Sequence, residues 1–198
     1  MAYLKQYDQD LARSYVEDKE GSWLDRRLVT RCLAGIPRTE SIVDVPCGGG
    51  RMTTLLAELG FHPAAADVSP AMLDLARARF RALSLEIPLE PQDLEKTTWP
   101  DARFDNVLCF RLFHHLPTEE LRAKVVRELC RVARRRVLLS YLDARSLRSR
   151  RRKRAGAPKK HPATPKEMAA YFARFGFRMT RDVARFPLRS LRMLVAER

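Results

Sequence analysis

The sequence predicts a doubly wound α/β fold, and three observations carry that reading. A β-branched run, Ser41–Val45, enters the glycine cluster Gly48-Gly49-Gly50. A helix-patterned stretch follows, with Met52, Leu55, Leu56 and Leu59 apolar and Gly60 closing it. A second apolar run then ends in a carboxylate, Asp67. Strand, glycine turn, helix, strand and acid form the nucleotide-cradling half of such a fold. Glycine lets backbone approach a ligand without an intervening Cβ. The helix start offers free N–H groups to an anion. An acid closing the second strand accepts hydrogen bonds from ribose hydroxyls.

The elements follow in order. Two helices open the chain, over Leu4–Glu17 and Ser22–Ala34; Ser22 can cap the second, whose stripe is Leu24, Leu28, Val29, Cys32 and Leu33. After Asp67, Ser69 is a natural N-cap and Pro70 a natural first helical residue. Strand three is expected over Leu85–Leu89, although Pro88 interrupts it. Phe104–Cys109 reads as strand four and Pro117–Ala133 as a helix, with Leu121, Val125, Leu129 and Val132 on one face. Val137–Tyr141 is short and apolar, as a buried parallel strand should be. Thr164-Pro165-Lys166-Glu167 is a capping box that starts a helix carrying Met168, Tyr171, Phe172 and Phe175, ended by Gly176. Phe177–Phe186 and Leu191–Ala196 complete the chain as two strands around Pro187.

At 198 residues this is one domain, without internal repeats, and long enough for a full core. A hydrophobic content of 45% and a charged content of 31% describe a soluble globular protein. No run approaches the ~20 apolar residues of a membrane span, and Met1–Asp8 has no signal-peptide core. Cys32, Cys47, Cys109 and Cys130 are scattered without C-x-x-C or metal-ligand spacing. They read as small buried hydrophobes in a reducing compartment, so no metal is expected and the expected location is cytoplasmic.

The net charge is +14 and is unevenly spread. Nine of the 38 basic residues lie between Arg145 and Lys160 with no acid among them, leaving 29 basic against 24 acidic residues elsewhere. The segment 145–162 contains Gly156 and Pro158 and lacks periodicity, so it is expected as an exposed basic loop between strand five and the following helix. Arg148, Arg150, Arg151 and Arg152 are its candidate anion-binding residues. Suitable partners are a phosphorylated small molecule, a lipid-linked phosphate at an anionic membrane surface, or RNA. Aromatic residues that would stack bases are missing from it, and arginine outnumbers lysine 30 to 8 over the whole chain.

Which nucleoside ligand does the glycine turn suit? Thr53 stands where G-x-G-x-x-G needs its last glycine, and Arg51-Met52 is not the G-K-[ST] of a P-loop. The loop instead resembles motif I, D/E-x-G-x-G-x-G, of the class I S-adenosylmethionine-dependent methyltransferases. Asp44, Gly48 and Gly50 fall on its acid and its second and third glycines, and Pro46 replaces the first. Asp67–Leu73 is similar to the family's second segment, Gln92-Asp93-Leu94 to its third, and Arg111–Pro117 to the loop beyond strand four. Together the matches run in order from about Ile42 to Tyr141.

The resemblance implies a mostly parallel seven-stranded sheet with helices on both faces, closed by an antiparallel C-terminal hairpin. It implies S-adenosyl-L-methionine as cofactor, with residues 1–36 as a helical lid over it. The turn Pro46, Cys47, Gly48 and Gly50 would face the methionine portion, and Asp44 would place its ammonium. Asp67 would hold the ribose, with Val68 and Met72 beside it, and Asp93 the adenine amino group, with Leu94 as apolar neighbour. Arg111 would take the cofactor carboxylate or a substrate anion. Pro46 removes one N–H and fixes φ, which implies a modest change of loop shape. His114 and His115, at the carboxyl edge of the sheet, are the candidate general bases. Taken singly, Asp67 reads as a loop acid, Asp93 as an Asx-turn residue and the two histidines as packing residues.

The chain lacks N/D-P-P-Y/F after strand four, and Pro46-Cys47 stands in the wrong loop to be a cytosine-C5 nucleophile. Cys109, inside strand four, reads as core. The leading expectation is methylation of a small, anionic or lipid-linked acceptor. The alternatives are an RNA or ribosome-associated methyltransferase, and a non-catalytic relative that keeps the fold for binding.

Overall fold

Strand β1 (Ile42–Asp44) is an interior strand of the sheet with all three residues buried. The computed structural model describes residues 23–147, 149–150, 160–186 and 191–198. Helix α1 (Trp23–Leu33) precedes β1, and α2 (Arg51–Glu58) leads to β2 (Pro63–Asp67). Then come α3 (Pro70–Ala82), β3 (Leu89–Pro91), β4 (Phe104–Cys109), a 3-10 turn (Phe113–His115), α4 (Glu119–Val132) and β5 (Ala133–Leu142). Helix α5 (Pro165–Ala173) and strands β6 (Arg178–Ala184) and β7 (Leu191–Glu197) complete the chain.

The strand order is β3-β2-β1-β4-β5-β7-β6. Strands β3 to β5 pair in parallel, and β7 is antiparallel to both β5 and β6. This is the seven-stranded sheet with a closing hairpin that the resemblance implies. From β1 the chain builds outward to β2 and β3, then returns to β4 on the other side, so the β1–β4 boundary is a topological switch point, where such sheets bind ligands.

Alternation along the inner strands supplies both faces. Leu108 and Leu138 pack with Leu28, Cys32, Leu55 and Leu56 of α1 and α2. Val107 and Leu139 pack with Val125 and Leu129 of α4 and Met168 and Phe172 of α5. A period of two with apolar residues at both phases is what a two-sided parallel sheet needs.

Local chemistry sets the helix starts. Ser69 accepts from the Met72 N–H with Pro70 at the first helical position, and Thr118 accepts from the Leu121 N–H. At α5 both halves of the capping box form, between Thr164 and Glu167. Helix α4 therefore begins after Thr118 rather than at Pro117.

Strand three needs a correction. It occupies Leu89–Pro91 instead of Leu85–Leu89. The Pro88 carbonyl accepts from the Ala65 N–H at 2.8 Å, and the ladder starts beyond it. Pro91 is tolerated because β3 is the sheet edge, with β2 as its one neighbour among the described residues. Strand five is longer than expected, ten residues rather than the apolar five.

The helix expected over Leu4–Glu17, residues 1–22 of the proposed lid, and Arg148, Arg151 and Arg152 lie outside the described residues. Both ends of the basic segment are described. Asp143 bridges Ala163, and the Ala144 N–H donates to the Ala163 carbonyl at 3.0 Å, which pins the two ends together. The segment does not begin as plain loop, because the Arg150 N–H donates to the Ser146 carbonyl at 3.0 Å in a helical turn. Among the described residues no helix is long and apolar enough to cross a membrane.

Candidate functional site

The turn between β1 and α2 is built around backbone donors. The Val45–Pro46 bond is cis. The Cys47 N–H donates to the Ala66 carbonyl at 2.8 Å, stitching the turn to β2, and the Gly50 N–H closes it onto the Cys47 carbonyl at 3.0 Å. Cys47 is buried, and burial pushes its thiol well above the ordinary range. Gly48, at φ +54, donates its N–H to Asp67 Oδ2 at 2.8 Å. Asp67 Oδ1 accepts from the Ser69 N–H at 2.9 Å. One acid thus fastens the glycine turn to the start of α3. Burial raises its pKa, and the N–H groups of Ser69 and Gly48 work against that. Each carboxylate oxygen has a second lone pair, so the group can accept further hydrogen bonds.

The two glycines at positive φ serve different ends. A Cβ on Gly48 would meet only Met72 Sδ, at 4.0 Å, which is ordinary contact. A Cβ on Gly50 would lie 2.6 Å from the Phe80 ring, so a glycine there lets α2 start hard against α3. Position 50 thus needs glycine twice over, for its left-handed backbone at φ +77 and for this close packing. Val68 is half-buried, and Met72 is 3% exposed on the first turn of α3.

Asp44 sits at the end of β1, 1% exposed. Its Oδ2 accepts from the Thr53 hydroxyl at 2.7 Å, whereas its Oδ1 is buried with no hydrogen-bond partner. Burial pushes its pKa up to about 7; the Thr53 hydrogen bond opposes the rise and the charge of Asp67 adds to it. Such an oxygen suits a cationic N–H donor.

Asp93 and Leu94 follow β3. Asp93 Oδ1 accepts from the Glu95 N–H at 2.9 Å in an Asx turn, and its other oxygen adds no bond within that turn. Leu94 is 3% exposed, in the core with Val43, Val45 and Trp99.

Beyond β4, Arg111 takes the left-handed conformation, φ +64, and its N–H donates to the buried Ser140 hydroxyl at 2.6 Å. Its guanidinium reaches Asp25 Oδ2 through Nε at 3.0 Å and Nη2 at 2.7 Å. Asp25 is fully buried and also accepts from Arg51, at 3.1 Å on Oδ2, and from Arg185, at 2.9 Å on Oδ1. Burial works to raise the Asp25 pKa, but the charge of Arg111 and the hydrogen bonds from Arg185 and Arg111 outweigh it and hold the carboxyl below its ordinary range. Sequence reasoning missed Asp25, Arg51 and Arg185. A signal was present: Asp25, Leu28, Val29 and Cys32 follow helical spacing, so an acid occupies the apolar stripe.

His114 is 2% exposed and its carbonyl accepts from the His161 N–H at 2.8 Å. His115 is half-buried, its ring centroid 4.4 Å from that of His114. Both follow Arg111 at the carboxyl edge. Among the described residues no group of His, Cys, Asp or Glu side chains could hold a metal ion.

The sheet order and the glycine turn fastened by Asp67 are the features of a doubly wound α/β fold of the nucleotide-cradling type, and Asp44 adds a buried unpartnered oxygen beside that turn. A family profile, the methyltransferase domain, matches residues 42–136. Ubiquinone biosynthesis O-methyltransferase of Coxiella burnetii is 34% identical over 76 residues, 38% of this chain and 32% of the relative. The same-named protein of Alkalilimnicola ehrlichii is 32% identical over 90 residues, 45% of this chain and 36% of that one. The chain thus spans about a third of the length of these curated relatives. In fold it is similar to the Synechocystis magnesium protoporphyrin IX methyltransferase crystallised with S-adenosylhomocysteine, with a TM-score of 0.71 and 22% identity over 96% of this chain and 83% of that one. Residues 42–136 match a methyltransferase domain, and in sequence and fold the chain is similar to the class I S-adenosylmethionine-dependent methyltransferases, whose cofactor is S-adenosyl-L-methionine. The residues present fit that cofactor: Asp44 Oδ1 is a buried acceptor for an ammonium, and Asp67 keeps acceptor capacity for a diol.

Proposed function

We propose that this chain transfers a methyl group from S-adenosylmethionine to a hydroxyl of a small acceptor lying over the β1–β4 boundary. The observation that carries the reading is Asp44 Oδ1, a buried carboxylate oxygen without a partner beside the glycine turn. The names of the curated relatives, O-methyltransferases, support oxygen as the acceptor atom.

When bound, the cofactor supplies a methyl group already activated by its sulfonium, so alignment and exclusion of water are what the protein must add. In this reading Asp44 and Asp67 fix the amino-acid and ribose ends, and the Asp93 carboxyl and Leu94 flank the base. The Gly48–Gly50 backbone approaches between them. The acceptor proton leaves to His115 Nε2 or Nδ1. That ring is half-buried, whereas His114 is closed in and supports the turn.

Titration calorimetry with S-adenosylhomocysteine, together with release of that product from S-adenosylmethionine in the presence of a panel of phenols and catechols, tests the reading. His115→Ala is expected to lower turnover at least about tenfold with the S-adenosylhomocysteine Kd within about twofold. Unchanged turnover removes His115 as the base. No binding heat at millimolar S-adenosylhomocysteine favours a non-catalytic relative instead.

A further inference from the structure

We propose that the acceptor carries an oxyanion, a carboxylate or a phosphate, and that Arg185 binds it beside Asp25 at the carboxyl edge of the sheet. The inference rests on the methyl-transfer reading above and names the acceptor class for the same crevice.

Topology places Arg185 there. Strands β5 and β6 are each antiparallel to β7, so β6 runs parallel to β5 and ends at the edge where β1 and β4 end. Arg185 follows the last residue of β6, and its N–H donates to the Leu191 carbonyl at 2.9 Å, which ties it to the start of β7.

Charge makes the position unusual. Asp25 is shared by Arg111 and Arg185, whose side chains are only 18% and 15% exposed. Even without counting Arg51, two guanidinium groups meet one carboxylate. A surplus cation with little water around it is unfavourable, and a bound oxyanion offsets it.

Hydrogen bonding names the donor. Arg185 Nη1 is directed to Asp25 Oδ1, while its Nε is buried with no hydrogen-bond partner. A guanidinium is a rigid planar fork, so fixing Nη1 also fixes the direction of the Nε–H. Carboxylate and phosphate are the groups whose geometry fits such a fork. Arg111 already turns both Nε and Nη2 onto Asp25, whereas Arg185 gives Asp25 only Nη1, so of these two guanidinium groups Arg185 is the one that keeps its Nε edge for an oxyanion.

The test is calorimetry on the full chain saturated with S-adenosylhomocysteine, using 4-hydroxybenzoate, phenyl phosphate and the neutral 4-hydroxybenzamide as probes. The wild type is expected to bind at least one of the two anions about tenfold or more tightly than the amide, and the stronger anion tells carboxylate from phosphate. Arg185→Gln should abolish the preference while the S-adenosylhomocysteine Kd stays within about twofold. Arg178→Gln, exposed at the opposite end of β6, should leave the preference intact. Equal binding of acid, phosphate and amide by the wild type overturns the inference, as does a preference that survives Arg185→Gln. Should that variant not fold, Arg185→Lys is read in its place, because it keeps the charge and loses the fork; an unchanged preference there overturns the inference too. If S-adenosylhomocysteine itself does not bind, the methyl-transfer reading falls and takes this inference with it. If it binds but the probes are not discriminated, this inference alone falls.

Discussion

Two buried aspartates, Asp44 at the end of β1 and Asp25 in α1, have been given opposite surroundings. Asp44, 1% exposed, has one hydroxyl partner and one oxygen without any, and its pKa is pushed up to about 7. Asp25, fully buried, is held by three guanidinium groups and kept below the ordinary carboxylate range. Burial acts on both in the same direction, so the partners decide the charge state. At Asp44 the protein leaves a negative charge under-compensated; at Asp25 it leaves positive charge in excess. In the proposed reading a cation completes the first site and an anion the second.

The most direct way to break this comparison is Asp25→Ala. It leaves three largely buried arginines facing one another, and breaking a buried pair in this way costs about 3–5 kcal/mol. Urea denaturation should show that loss, with an unchanged m-value if the fold is otherwise kept. A change below about 1 kcal/mol would mean that the cluster is solvated and that no positive surplus exists.

pH separates the two aspartates more finely. Asp44 has a folded pKa raised above its unfolded value, near 3.8. Its contribution is fully present below that value and is lost as pH rises toward about 7, at about 1.4 kcal/mol per unit. Asp25 has the opposite sign: its contribution is present above the ordinary carboxylate pKa and is lost only as pH falls below it. In Asp44→Asn the decline in stability between pH 4 and 7 should become shallower, leaving the share due to Asp67, while the acid limb to which Asp25 contributes stays. Binding of S-adenosylhomocysteine should strengthen as pH rises through neutrality in the wild type and become nearly pH-independent in the variant. A wild-type profile without the decline removes the raised pKa from the argument.

How much of this was legible in the sequence follows the same division. The Asp44 half was readable because its signals are local: a β-branched run, glycines in a row, an acid at a set distance and a capping serine with proline behind it. Strand three failed because Pro88 was read as an interruption inside a strand, when its carbonyl in fact starts the ladder. The Asp25 half depends on residues 26, 86 and 160 positions apart in the chain. No periodicity reports such pairings, and only the acid within an apolar helical stripe hinted at one. Arg111 was found, but its guanidinium is already engaged by Asp25, which a single sequence does not disclose. Gly50 was read toward a ligand, and the Phe80 ring packed against it is a further reason for the glycine that a single sequence does not disclose.

The smallest expected effect tests whether Thr53 tunes Asp44. Thr53 is fully buried and its hydroxyl is the donor that Asp44 Oδ2 accepts. Thr53→Val keeps the shape and removes the donor. Below about pH 6 Asp44 is mostly protonated, and the lost bond is neutral to neutral, worth about 0.5–1.5 kcal/mol. Above about pH 8 the carboxylate is charged, and the lost bond is worth about 1.5–3 kcal/mol. The stability difference between wild type and Thr53→Val should therefore widen by about 1 kcal/mol from acid to alkaline conditions. A pH-independent difference would place the Asp44 ionisation outside this range, and would leave burial alone as the reason this carboxyl receives a cation.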